Sequence, residues 1–446
     1  MQCQLTHQLY KSTKFLIWTI LLFYCLINKA YAISNIEISG SNKESLPIEI
    51  KIDSFNDVKN LNILHQIVQR VKLQLNESLI FKASLEEDNN KFIAKLLNKN
   101  PETYPFNVTL SIDNNPTSSG YIIKVKIFDH YRNEISDEFS VTGNNKLWYK
   151  AASQISDRTF YSFTGVFGYF DTSIIFVSEK GKFNERKKKI AIMSLYGDEY
   201  KEYTNGENLV LSPTISSDRN LMAYVSYHSK KPKTYIYDLN TKALKTASEN
   251  NRDIMTLTPS FLPGNNDQIL MSKVFEGNSE IVKYDIANNK SIRLTNNPAT
   301  DISPSYSPVQ DRIVFSSDRS GKAELYIMSP KGGDIKRIRF LKGTYTNPKF
   351  SPDGRYIAFT RFLDNQFSIG ILDTETFFTK ILSTSYKNDS PSWAPNSKYL
   401  IFTKSNAQSK SKKRNLSNLF IVDLNGNIIN KVRTPSDASE AYWFKN

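Results

Sequence analysis

Five times along this chain a small polar residue stands before a proline, at steps close to 45 residues, and that period constrains the fold more than any other feature. The prolines are Pro213, Pro259, Pro304, Pro348 and Pro391, so the steps are 46, 45, 44 and 43. Each opens a related segment: Ser212–Ser216, Thr258–Leu262, Ser303–Pro308, Asn347–Gly354 and Ser390–Pro395. Fixed self-similarity of this length is the signature of solenoids, propellers or arrays.

The texture between the prolines selects a propeller. After each proline segment comes an apolar or alternating run: Leu221–Val225, Gln268–Met271, Arg312–Phe315, Tyr356–Phe359 and Tyr399–Phe402. A polar break precedes a second run: Thr234–Asp238, Glu280–Asp285, Glu324–Met328, Ser368–Asp373 and Asn418–Asp423. A last short strand such as Ser291–Thr295 finishes the unit. Four short strands per unit, separated by turn chemistry, make one propeller blade. Proline has no donor and a fixed φ, so it is expected at the entry of a strand on a sheet edge. The bulky residue two positions later is expected to fill the gap between blades. Asp353-Gly354 offers a tight turn that needs a positive φ.

A solenoid of the same period would need polar caps, but the chain ends differently. Thr172–Val177 and Lys189–Leu195 match two strands of the unit without a proline lead. The missing lead appears at the other end, as Ala441-Tyr442-Trp443-Phe444. Joining the two pieces makes a sixth blade and removes an exposed strand edge. The expected fold is two-domain, α/β plus all-β: a small N-terminal α/β domain followed by a six-bladed β-propeller closed by the C-terminal strand.

The start of the chain reads as a targeting segment. Lys11 and Lys14 precede an apolar run from Phe15 to Ile27, and Ala30-Tyr31-Ala32 supplies a small–x–small cleavage pattern. This is the order of a secretory signal peptide cut after Ala32. Domains are therefore expected at 1–32 (signal), 33–165 (α/β domain with a mobile arm at Ile33–Glu44) and 166–446 (propeller). Cys3 and Cys25 are the two cysteines, and both fall inside the signal. A mature chain without thiols has no disulfide, no Cys-ligated metal and no Cys nucleophile.

Within the front domain, Pro47–Asp53 alternates as a strand, and Leu61, Leu64, Val68, Val71 and Leu75 follow helical spacing. Phe106–Ile112 and Tyr121–Phe128 alternate again, and Leu147, Ala151 and Ile155 indicate a second helix. Helices on one face of a mixed sheet are expected. The formal net charge is +14, of which about +11 remains after the signal. Its dense spots, Arg186–Lys189 and Gln408–Arg414, read as solvated loop tips.

The repeat resembles that of the TolB family of the Tol–Pal system, whose signature Ser-Pro-x-Trp-Ser-Pro-Asp-Gly is best kept at Asn347–Gly354 and Ser390–Pro395. Phe315–Gly321 resembles the family's inner-strand turn. Leu147–Ala152, Gln154–Asp157 and Gly165–Thr172 follow its passage from helix to propeller. The chain departs from the family at Ser216–Arg219 and Leu262–Gly264, which replace Ser-Pro-Asp-Gly, and between Asn76 and Pro105.

The resemblance implies a non-enzymatic periplasmic scaffold without cofactor, monomeric, that binds the lipoprotein Pal and the protein TolA and supports outer-membrane integrity and constriction at division. By matching position it implies a Pal face at Met255, Thr256, Leu257, Asp301, Ile302, Tyr345, Thr346 and Asp389. It implies a TolA-contacting arm that includes Ile33, Ile36, Glu37 and Ile38. The rival class is a propeller-based hydrolase or a ligand-binding and signalling protein. A propeller-bearing serine hydrolase would carry a Gly-x-Ser-x-Gly elbow, and the sequence has none. His65, His130 and His228 are scattered rather than grouped as metal ligands.

Overall fold

A computed structural model describes residues 45–55, 58–85, 104–114, 120–181, 185–229, 231–248, 254–339, 342–405 and 416–446. The signal segment, the arm and Gln408–Arg414 lie outside these residues.

The front domain is a five-stranded mixed sheet carrying two helices. In chain order it holds β1 (Leu46–Phe55), α1 (Val58–Glu77), β2 (Phe81–Leu85), β3 (Phe106–Asn114), β4 (Tyr121–Asp129), β5 (Glu134–Gly143) and α2 (Trp148–Thr164). The sheet order is β2-β1-β3-β4-β5. Strand β1 runs parallel to β2 and β3, while β3, β4 and β5 form an antiparallel meander. On β4, Tyr121, Ile123, Val125 and Ile127 are buried and Lys124 and Lys126 are exposed, the alternation of a sheet covered on one face. Leu64, Val68, Val71 and Leu75 of α1 pack into that face. The helices are joined through buried Gln74, whose Nε2 donates to Ser153 Oγ at 2.8 Å and whose Oε1 accepts from Ser156 Oγ at 2.7 Å. Strands β2 and β5 were not expected from sequence. The first is five residues long, and the second is an edge strand whose polar residues hide any apolar period.

Helix α2 stops at Gly165, which adopts φ 70° and returns its N–H to Tyr161 O at 2.8 Å. That left-handed cap costs glycine little. The chain then passes through Val166–Asp171 into the propeller.

The propeller consists of six four-stranded antiparallel sheets. Blades 2 to 6 each begin with their inner strand: Val210–Ile215, Thr256–Leu262, Asp301–Ser307, Thr344–Phe350 and Lys387–Trp393. Blade 1 takes its inner strand from the chain end, Asp437–Lys445, which pairs with Thr172–Lys180 in the register Asp437↔Glu179 to Lys445↔Thr172. The expected closure is therefore present.

The prolines stand elsewhere than expected. They occupy the middle of the inner strands, each immediately after a residue of positive φ: Ser212 (51°), Thr258 (48°), Ser303 (58°), Asn347 (51°) and Ser390 (54°). Glu440 (52°) repeats the geometry before Ala441. The pairing register shifts at each site, as in a β-bulge. Inner strands bond to a neighbour on one side only, so a proline whose missing N–H would face the channel interrupts no ladder. The bulky residues two positions on pack between blades. Phe261 joins Ala223 and Ile236 of blade 2, and Phe350 joins Val314 and Leu325 of blade 4.

Charge at the first blade also differs from expectation. Arg186 is only 12 % exposed and bridges Glu179 and Asp437, and Lys188 lies 3.3 Å from Glu179. Lys187–Lys189 begin a strand rather than a free loop tip, and acids of the same blade pair with two of them, Glu179 with Lys188 and Glu202 with Lys189.

One core runs from the front domain into the propeller seam. Phe160 and Phe170 meet near Tyr169, whose ring lies 4.4 Å from that of Tyr399 in blade 6 and 5.6 Å from that of Trp443. Beside it, Arg70 of α1 reaches Asp198 at 2.9 and 3.3 Å and lies against the rings of Trp148 and Tyr196.

Candidate partner-binding mouth

The pairing register fixes which end of the channel is free. Lys445 ends its strand opposite Thr172, next to the domain junction, whereas Asp437 starts it opposite Glu179. The beginnings of all six inner strands therefore surround the mouth that faces away from the front domain.

Two residues before each repeat proline, the inner strands place Leu211, Leu257, Ile302, Thr346 and Asp389, with Ser439 in blade 1. Leu211, Leu257, Ile302, Thr346 and Asp389 are partly exposed. Leu257, Ile302, Thr346 and Asp389 of the sequence-derived face thus share one level of one opening. Met255, also partly exposed, lies just outside it.

The other three are buried and act as framework. Asp301 is 0 % exposed, and both its carboxylate oxygens accept from Arg319 Nη2 at 2.9 and 2.7 Å. Thr256 Oγ1 accepts from Thr234 N–H at 2.8 Å. Tyr345 donates its hydroxyl to Lys342 O at 2.7 Å. Leu211 was missed, although the same offset from Pro213 marks it. Ile33, Ile36, Glu37, Ile38 and Ala32 lie outside the described residues.

Below this level, bulge residues join across blades. Ser303 Oγ donates to Asn347 Oδ1 at 3.1 Å, and Asn347 Nδ2 donates to Asp389 Oδ1 at 2.7 Å. Asp389 Oδ1 also accepts from Ser390 N–H at 2.7 Å and Thr360 Oγ1 at 3.1 Å. At the seam, Ser212 N–H donates to Glu440 Oε2 at 2.8 Å. Burial pushes the Glu440 carboxyl above its ordinary value, and that backbone donor opposes the shift.

A cavity of about 340 Å³ opens between blades 6 and 1, lined by Glu179, Arg186, Lys188, Lys387, Asp389 and Glu440 among others. Sequence spacing could not reveal it, because its acids and bases come from opposite ends of the chain. On blade 5 of the same face, Phe362 and Phe367 rings lie 4.8 Å apart, and Phe362 and Tyr386 are exposed. The mouth thus combines an apolar arc at Leu211, Leu257 and Ile302, a charged arc at the seam and exposed aromatic rings. Such a mixture suits protein recognition. Among the described residues no group of three His, Cys, Asp or Glu side chains is placed to hold a metal, and no helix is long and apolar enough to cross a membrane.

The architecture defines a β-propeller protein with an N-terminal α/β domain seated over the ring's seam and a free mouth opposite. A family model described as the TolB β-propeller domain matches residues 160–445, and the chain belongs to the TolB family. It is 31% identical over 439 residues to the Tol-Pal system protein TolB of Orientia tsutsugamushi (strain Boryong), covering 95% of this chain and 94% of that one. It is 30% identical over 322 residues to the Tol-Pal system protein TolB of Gluconobacter oxydans (strain 621H), covering 72% and 70%. The crystal structure of TolB from Acinetobacter baumannii superposes with a TM-score of 0.73 at 22% identity, covering 92% of this chain and all of that one. This likeness extends to both domains.

Proposed function

We propose that this protein is a non-enzymatic periplasmic scaffold of the Tol–Pal system, binding Pal at the free propeller mouth and TolA through residues 33–44. In this role it supports outer-membrane integrity and constriction during division. The observation that carries the reading is the convergence of Leu257, Ile302, Thr346 and Asp389, from four repeats, on one opening away from the front domain. Burial of an apolar arc rimmed by charge would supply both affinity and register. The test is capture of purified Pal by the full-length mature protein. Leu257→Asp and Ile302→Asp, both at partly exposed positions, should reduce capture at least tenfold while the melting temperature stays within a few degrees. Undiminished capture by the folded variants overturns the assignment of this mouth. Failure of the unaltered protein to bind Pal in low and moderate salt overturns the function.

A further inference from the structure

Blade 5 departs from the other five at its outer edge. Each blade turns from its third strand to its outermost strand through a residue of positive φ. In five blades that residue is Gly197, Lys242, Asn289, Gly332 or Gly426, and in blade 5 it is Phe377 at φ 57°. That conformation suits glycine and asparagine and strains a bulky side chain. Packing does not offset the strain, since Phe377 is 69 % exposed and its neighbour Phe378 is 68 % exposed. The turn beneath them is fixed. Asp373 Oδ1 accepts from Glu375 N–H and Thr376 N–H at 3.0 Å each, and its Oδ2 accepts from Arg355 Nε at 3.0 Å. Strain kept at an exposed apolar site points to a function there.

The strand that follows, Thr379–Ser385, has seven residues, against two to four in the outermost strands of the other blades. Exposed edges are ordinarily kept short, because their unpaired N–H and C=O groups are a template for another strand. Among the described residues no strand pairs with the outer side of Thr379–Ser385. Leu382, at a shift in its register, anchors it against Trp393 and Val422 of blade 6. Tyr386 stands exposed just beyond its far end, so aromatic rings flank the edge on both sides. The whole stretch Phe377–Lys387 carries Lys380 and Lys387 and no acid.

We propose that the outer edge of blade 5 is a second docking surface, which takes an extended acidic segment of a partner protein as an added β-strand, with apolar side chains seated on Phe377, Phe378 and Tyr386. Backbone pairing supplies affinity in this mode, and side chains at alternate positions supply selectivity. The two lysines set the charge of the segment. One strand edge and three rings fall short of the about 1,200–2,000 Å² that folded surfaces bury in a stable pair, which favours an extended segment over a second copy of this chain.

Random peptides displayed on phage, panned against the full-length mature protein, test the surface. Enriched peptides should carry Asp or Glu among alternating apolar residues, and synthetic copies should slow amide exchange across Thr379–Ser385. Phe377→Asn/Phe378→Lys copies Asn289-Lys290 of blade 3, so it should keep or raise the melting temperature, yet weaken peptide binding at least tenfold. Lys380→Glu should weaken it too. Leu257→Asp should leave it unchanged, which separates this surface from the proposed Pal mouth. Peptides that bind the double variant equally, or a panning that enriches none of this pattern, overturn the proposal. So does a dimer of the unaltered protein in sedimentation that the double variant abolishes, because the occupant is then a second copy.

Discussion

Trp443 donates its indole Nε1–H to the hydroxyl of Thr172 at 2.7 Å, so the last strand of the chain is fastened to the first strand of the propeller. The indole is 3 % exposed and packs against Tyr169 at the domain junction. Trp443→Ala should cost about 3–5 kcal/mol by loss of burial and cavity formation, read by chemical denaturation. Deletion of Ala438–Asn446 should lower the melting temperature and produce concentration-dependent association in light scattering, because Thr172–Lys180 becomes an open edge. An unchanged, monomeric truncation product contradicts the closure argument.

Asp157 makes the junction sensitive to pH. Its carboxylate accepts from Phe170 N–H at 2.8 Å and Asp171 N–H at 3.0 Å, yet burial pushes its pKa from 3.8 up to about 7. The folded state therefore holds a proton that the unfolded chain releases between about pH 4 and pH 7. The contribution of this group to stability is fullest below pH 4, falls as pH rises to about 7 and is level above. Subtracting the pH profile of Asp157→Asn from that of the unaltered protein, by urea denaturation, should reveal that slope. Gly168→Ala should disturb the same site, since a Cβ there would stand 2.2 Å from Asp157 Oδ1.

Glu202 contributes with the opposite sign. Hydrogen bonds from Lys189 and Tyr200 hold its carboxyl down at about 2, so its stabilisation is present above about pH 4.5 and is lost as pH falls toward 2. Glu202→Gln should flatten the acid limb of the stability profile and leave the limb between pH 5 and 8 unchanged.

Arg70 clamps the two domains through two hydrogen bonds and two ring faces. Arg70→Ala should destabilise by about 1–3 kcal/mol. It should also speed proteolysis within Val166–Asp171. Arg70→Lys should fail to rescue, since an ammonium cannot reproduce the planar fork.

Ala441 occupies the place that proline holds in the other five blades, behind a residue of the same positive φ. Ala441→Pro should be neutral or stabilise by up to about 1 kcal/mol through the unfolded chain, seen as an unchanged or raised urea midpoint. A loss above 2 kcal/mol means that the closing strand differs from its counterparts.

The proline period, the paired runs and the split sixth unit determined by themselves that the chain forms a closed six-bladed ring, because strand alternation and turn chemistry are local. They also marked the level of Leu257, Ile302, Thr346 and Asp389, since a fixed offset from a bulge is a fixed place on an inner strand. They did not reveal which members of that set are framework. Asp301 and Tyr345 lie close to the same offset, and only packing against Arg319 and Lys342 removes them from the surface.

Tertiary structure alone decided the rest. Arg186 looked like a solvated charge until Asp437, 251 positions away, was brought beside it. Local sequence carries the period of a strand, whereas charge pairing and burial depend on which distant strands the ring brings together.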